Sequence, residues 1–270
     1  MEVTSRPLNG RARRHGADRQ TGGWSVRSEE WLVVEHPVAI EADGTVIATT
    51  MCTPDDLSSM AIGFCIAEGL LPHDVHPEVM VAEAPAVTTV SVATGRLPGS
   101  STPRLGTVSA SCGACGTVDM ASLVAGVAAV EPSTAPTADM IASAMAALRS
   151  GQEVFALTGG SHAAAAIDRD GRLIDIAEDI GRHNAVDKVV GRMHAAGRLP
   201  AIGWTLVISG RASFEMVQKA CAAGFSTLVA VSAPSSLAVD AATRAGLRLI
   251  GFARDDRCTV YVAPDPDPRR

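Results

Sequence analysis

The stretch Thr205-Leu-Val-Ile-Ser-Gly-Arg-Ala-Ser-Phe-Glu-Met-Val-Gln-Lys-Ala-Cys-Ala-Ala-Gly-Phe-Ser-Thr-Leu-Val-Ala-Val231 decides the fold class. Two short β-rich runs, Thr205–Ser209 and Thr227–Val231, enclose a helical segment, Phe214–Ala223. That succession is the repeating unit of a parallel sheet. Working outward, Ser236–Ala245 predicts the next helix, and Leu247–Phe252 and Thr259–Val262 the closing strands. Upstream, Arg182–Ala196 predicts a helix with Ala185, Val186, Val189, Val190 and Met193 on one face. His162–Ile167 and Leu173–Ile176 flank a hairpin connection at Asp168–Arg172; Val154–Thr158 predicts a turn or strand, and Thr137–Leu148 a helix. A hairpin followed by alternating helix and strand predicts a three-layer α/β domain with a mixed sheet over residues 137–264.

Residues 31–94 predict a smaller α+β domain. Trp31–Ile40 and Thr45–Met51 are strands joined by Asp43-Gly44, a type I′ turn signal. Thr53-Pro-Asp-Asp56 predicts a helix with Thr53 as N-cap, running to about Gly69, and Val79–Ala84 and Val87–Val92 predict another pair of strands. Residues 95–136 are rich in Gly, Ser, Pro and Thr and read as a mobile loop and linker carrying Ser111-Cys112-Gly-Ala-Cys115-Gly116. Residues 1–30 hold Arg6, Arg11, Arg13, Arg14, Arg19 and Arg27 without an apolar period and predict a disordered basic arm; residues 265–270 predict a fraying tail.

The chain has 270 residues, a formal net charge of −6 and 47% apolar residues, enough for a sizeable core. Aromatic residues are only 3%, so that core must be Ala, Val, Leu, Ile and Met. The mild acidity argues against a nucleic-acid partner. No apolar run approaches the ~18 residues of a membrane span, and the arm lacks the apolar core of a secretory signal. A cytoplasmic protein is the expectation.

Six cysteines in such a chain do not read as a disulfide scaffold. Only Cys112 and Cys115 form a close pair. Two thiols three apart can share a metal, form a reversible disulfide or support nucleophilic sulfur chemistry, and the flanking glycines give access. A structural zinc wants four ligands; no second CxxC exists, and His73 and His76 would have to complete the set. His76-Pro-Glu78 with the later CxxC mimics a zinc deaminase signature, but position 111 is Ser instead of Pro, and we reject it. No resident metal is expected.

Three predicted helix starts follow neighbouring strands: Glu178–Lys188 with Arg182 and His183, Gly210–Glu215 with Arg211 and Ser213, and Ser232–Ser236 with Ser235. Each alone is an ordinary polar first turn. Jointly they predict a crevice for a phosphorylated ligand at the carboxyl ends of the strands. Arg254 and Arg257 follow another strand and can add phosphate contacts, although Asp255 and Asp256 offset their charge.

These segments together resemble the FdhD family of formate dehydrogenase accessory sulfurtransferases. The motifs are Cys112-Gly-Ala-Cys115-Gly, Glu178–Lys188, Arg211–Lys219, Ser232–Ala238 and Gly251–Arg257, with Ala61–Phe64 and Glu68-Gly69 in the first helix; the resemblance spans about Pro37 to Val262. It implies a protein that accepts sulfane sulfur from a cysteine desulfurase as a persulfide. That sulfur would pass to bis-molybdopterin guanine dinucleotide before the cofactor enters the formate dehydrogenase catalytic subunit. It also implies a homodimer and a C-terminal domain resembling the cytidine deaminase fold. Cys112 matches the persulfide-bearing cysteine and Cys115 its partner. Phe252, Ala253, Arg254, Asp255, Asp256 and Arg257 match the cofactor-binding loop, with Asp255-Asp256 where relatives often carry glycine. A non-catalytic cofactor chaperone and a zinc-stabilised interaction protein are the competing readings.

Overall fold

The computed structural model describes residues 10–95, 124–254 and 257–264. The first of the described elements form an antiparallel hairpin, β1 (Ala12–Thr21) and β2 (Trp24–Val33), turning at Gly22-Gly23. Most of the expected disordered arm is therefore strand. Across the ladder Arg19 meets Glu30 at 2.7 Å, Arg27 meets Asp18 at 3.4 Å and Arg14 meets Glu29 at 3.8 Å. In each of these pairs the carboxylate comes from the opposite strand of the hairpin.

The small domain contains β3 (His36–Ala42), β4 (Thr45–Cys52), α1 (Leu57–Ala67), β5 (Val79–Ala82) and β6 (Thr88–Val92). Its sheet has the order β4-β3-β6-β5, with β3 and β6 parallel and the other pairs antiparallel. The β3–β4 turn forms as expected, with Asp43 and Gly44 both at positive φ. Thr53 is not the N-cap of α1. Asp56 holds that position in a left-handed conformation without a side-chain cap. Thr53 is buried and committed to the large domain: its N–H donates to Asp179 and its Oγ1 accepts from the Ile180 N–H, both at 3.1 Å.

The large domain comprises α2 (Ala138–Ser150), α3 (Glu153–Thr158), β7 (His162–Ile167), β8 (Leu173–Asp179), α4 (Arg182–Ala195), β9 (Thr205–Ile208), α5 (Phe214–Ala222), β10 (Thr227–Ala230), α6 (Ser236–Ala245), β11 (Arg248–Arg254) and β12 (Arg257–Val262). The mixed sheet has the order β12-β11-β10-β9-β7-β8. Strands β8 to β11, β9 and β10 among them, run one way; β7 and β12 oppose them. Alternation splits the side chains between two cores. Ala163, Ala165, Val207, Val229 and Ile250 pack with α2, whereas Ala164, Ala166, Leu206, Leu228 and Leu249 pack with α4, α5 and α6. The three-layer α/β arrangement read from the sequence is therefore present.

Two local readings change. Val154–Thr158 is helical because the Glu178 carboxylate accepts the N–H groups of Val154 and Phe155, at 2.7 and 2.9 Å. Residues 124–136, expected as part of the mobile linker, are seated on the large domain. Val127 is buried, the Val130 N–H donates to Ala245, and Glu131 accepts from Ser226.

The domains join where α1 crosses α4. A Cβ on Gly63 would overlap the Asp187 carbonyl, and one on Gly191 the Ser59 carbonyl. Only glycine lets the two backbones touch in this way.

Candidate functional site

Strands β8 to β11 that run together, β9 and β10 included, end on one edge of the sheet, and α4, α5 and α6 begin there. On the α2 side this edge opens into a cleft of about 430 Å³, whose polar wall includes Arg149, Ser161, His162, Ser209 and Arg254, with Phe155 beside them. A second hollow of about 270 Å³ adjoins it, lined by Phe252, Arg254, Arg257, Cys258 and Thr259. Arg254 belongs to both.

The end of β11 is locally strained. Phe252 adopts φ 51°, the left-handed region, and its N–H donates to the Ser232 carbonyl at 3.2 Å. Such a conformation in a bulky residue costs roughly 1–3 kcal/mol and persists only where the surroundings impose it. Phe252 is 43% exposed, whereas Ala253 is fully buried in the α2 core and presents no side chain to the hollow. Arg254 donates to the Val231 carbonyl and faces Arg257 across the β11–β12 pair. Asp255 and Asp256 lie outside the described residues, so their relation to the two arginines does too.

The string Glu178–Lys188 divides between two tasks. Arg182 and His183 stay at the strand edge. Arg182 Cδ and His162 Nδ1 each lie 3.7 Å from where a Cβ on Gly210 would stand, so Gly210 leaves room between them. His183 Nε2 pairs with Glu215, and the hydrogen bond from His183 holds the Glu215 carboxyl below the usual range. Asp179, Asn184 and Lys188 turn to the domain junction. Asp179 accepts from Gly181, Asn184 and Thr53, and meets Lys188 Nζ at 2.8 Å. Lys188 also pairs with Asp55 and donates to the Thr53 and Glu178 carbonyls. Burial works against the Lys188 ammonium, but Asp179 and Asp55 outweigh it and hold its pKa above the ordinary value.

The remaining predicted contacts are less concentrated. Arg211 is exposed at the strand end before α5. Ser213 heads α5 without a side-chain cap, and its Oγ is buried without a hydrogen-bond partner. Ser235 caps α6, its Oγ accepting from the Ala238 N–H at 3.2 Å. Cys112 and Cys115 fall outside the described residues. Among the other cysteines, burial pushes the thiols of Cys52, Cys65 and Cys221 up to about 12, so they are poor nucleophiles; Cys258 is exposed.

The described residues contain no group of three potential metal ligands. His73, considered as a zinc ligand, donates through Nε2 to the Ala222 carbonyl at 2.8 Å, and His76 packs against His194 with ring centroids 5.2 Å apart. Sequence reasoning missed Arg149, Ser161, His162 and Ser209 as cleft residues. The available signal was Thr158-Gly-Gly-Ser-His162, a glycine-rich turn placed directly before a strand.

The family model of the FdhD/NarQ family matches residues 33–266. A sulfur carrier protein FdhD of Streptomyces coelicolor is 42% identical over 257 residues, covering 90% of this chain and 91% of that protein. Its namesake in Mycobacterium tuberculosis is 40% identical over 256 residues, covering 89% and 92%. In fold, the chain is similar to the crystal structure of a protein described as a formate dehydrogenase accessory protein, from Desulfotalea psychrophila. The TM-score is 0.73 at 22% identity, covering 94% of this chain and 98% of that one. No helix among the described residues is long and apolar enough to cross a membrane.

Proposed function

The chain belongs to the FdhD/NarQ family, and from that premise we propose that it is a sulfurtransferase supplying sulfur to a molybdenum cofactor for formate dehydrogenase. The observation that carries this reading is the identity of about 40% to proteins named sulfur carriers, over roughly nine-tenths of both chains. In this reading Cys112 is the carrier and Cys115 assists it. The Cys112 thiolate attacks the outer sulfur of a cysteine desulfurase persulfide; the S–S bond there breaks, the desulfurase thiolate leaves, and the sulfur becomes the Cys112 persulfide. Bis-molybdopterin guanine dinucleotide would be the substrate to which the Cys112 persulfide presents that sulfur.

The strand edge suits the nucleotide end of such a substrate. Arg254 borders both hollows and Arg257 the smaller one, and guanidinium groups match phosphate geometry. Arg182, His183, Arg211 and Ser213 cluster at the neighbouring helix starts, where backbone N–H groups favour anions. Ser235 would act through its backbone position, since its hydroxyl already caps α6. The proposal includes cytoplasmic function, a homodimer, a resemblance of the three-layer domain to the cytidine deaminase fold without its zinc chemistry, and delivery to the formate dehydrogenase catalytic subunit.

Intact-protein mass after incubation with a cysteine desulfurase and cysteine tests the transfer step. The expected result is a gain of one sulfur, about 32 Da, reversed by reductant and lost in Cys112→Ala. Loss only in Cys115→Ala exchanges the two roles. No sulfur on the wild type beside an active desulfurase overturns the transferase reading in favour of a cofactor chaperone.

A further inference from the structure

The hairpin β1–β2 is a two-stranded sheet of its own, ten residue pairs long. We propose that β2 pairs with β2 of a second copy of this chain, antiparallel about Ser28, so that two hairpins join into one four-stranded sheet. The proposal rests on the homodimer included above and gives it a surface and a register.

The hairpin is fixed at its base. Arg11 reaches Asp55 and Glu153 at 3.8 and 3.6 Å, and Val33 lies against Gly160. Beyond that base, among the described residues, no third strand borders either edge. A two-stranded ribbon is marginal in water, and a bare strand edge is a template for another strand.

Backbone direction selects the residues that can pair. The Val34 N–H donates to the Arg11 carbonyl at 2.9 Å, so along this ladder the even-numbered residues of β2 turn their backbone groups to β1. Ser25, Arg27, Glu29 and Trp31 therefore turn theirs to the outer edge.

The side chains make that edge self-complementary. With Ser28 on a two-fold axis, Arg27 stands opposite Glu29 of the second copy, and Glu29 opposite Arg27 of the second copy. Trp24 stands opposite Leu32 of the second copy; these two side chains share a face with Val26, and the three are 80%, 40% and 64% exposed in that order. Val26 stands opposite Glu30 of the second copy, and Glu30 keeps its own Arg19. Moving the axis to Arg27 or to Glu29 sets like charges against each other. A slip of one residue sets outward backbone groups against inward ones. The Ser28 register avoids both faults.

Sedimentation equilibrium of the full chain tests the charge pairing. The expected result is a wild-type dimer, a Kd about tenfold weaker in Arg27→Glu and in Glu29→Arg, and recovery when the two reversals are combined. Within one hairpin Arg27 meets Asp18 and Glu29 meets Arg14, so the combined reversal leaves both of those contacts repulsive. Recovery therefore reads pairing between copies.

Cross-linking tests the register, in a Cys112→Ala, Cys115→Ala, Cys258→Ala background that removes the close pair and the exposed thiol. Ser28→Cys puts two thiols on the axis, with Cα atoms about 4.5 Å apart, within reach of a disulfide. Val26→Cys puts them four positions out of step, roughly 13 Å apart. Mild oxidation is expected to link the first variant into a covalent dimer and leave the second unlinked. A dimer indifferent to both single reversals, or equal cross-linking at the two positions, overturns the hairpin interface and leaves the homodimer standing. Single reversals that weaken the dimer without recovery in combination overturn the Arg27–Glu29 pairing. A wild type that is monomeric at all concentrations overturns this proposal and the homodimer together, while sulfur loading of Cys112 is read independently by mass.

Discussion

Lys188 and Asp179 form a completely buried ion pair, 2.8 Å apart, with neither side chain exposed to solvent. Asp179 ends the strand that leads into α4, and Lys188 sits two turns into that helix, so the pair fixes the strand–helix corner while Thr53 and Asp55 bring the small domain onto it. Removing one member of a buried pair strands the other charge. Lys188→Met is expected to cost about 3–5 kcal/mol in urea unfolding. Adding Asp179→Asn should recover part of that loss, because the remaining side chain is then neutral.

The crossing of α1 and α4 makes a sharper demand. Gly63→Ala and Gly191→Ala each place a methyl group into the other helix's backbone, which cannot rotate away as a side chain would. Each is expected to cost at least about 1–3 kcal/mol, read as a lowered urea midpoint. An unchanged midpoint in both variants would show that the helices separate at no expense.

Glu215 ties His183 to the start of α5, and its carboxyl is held below its ordinary pKa by that hydrogen bond. A depressed acid contributes stability above its unfolded pKa, and the contribution disappears as pH falls through the folded one. Glu215→Gln is expected to lose about 1 kcal/mol at pH 7, less than a fully buried charged hydrogen bond because the site is partly open. The gap between wild type and variant should close below about pH 4, measured by denaturant unfolding across the acid range.

Thiol labelling separates the cysteines. In a Cys112→Ala, Cys115→Ala double variant, one thiol should react rapidly under native conditions at pH 8, that of exposed Cys258. Cys52, Cys65 and Cys221 are buried and pushed up to about 12, so they should react only on unfolding. Four fast thiols in a colorimetric assay would contradict the packing around all three.

The three-layer domain was legible because its strands are short apolar runs separated by turns, as in Leu206-Val-Ile208 and Leu228-Val-Ala230. The edge that gathers Arg182, Arg211 and Arg254 was legible for a related reason: in a parallel sheet, position along the unit fixes which end a residue occupies. What sequence reading missed depended on distant partners. The helix Glu153–Thr158 is capped by Glu178, 24 positions away, and Thr53 surrenders its capping role to Asp179, 126 positions away. His162 gave no signal alone, since the α4 residues beside it are brought there only by the fold.

Glu178 and Asp179 are adjacent, and successive side chains of a strand leave it on opposite faces. Glu178 secures α3 and Ser161 in the cleft wall; Asp179 secures Lys188 and Thr53 at the junction with the small domain. The two carboxylates therefore work as a rivet driven through the sheet, with one head beneath the cleft and the other under the neighbouring domain. Loosening either head slackens the grip of both.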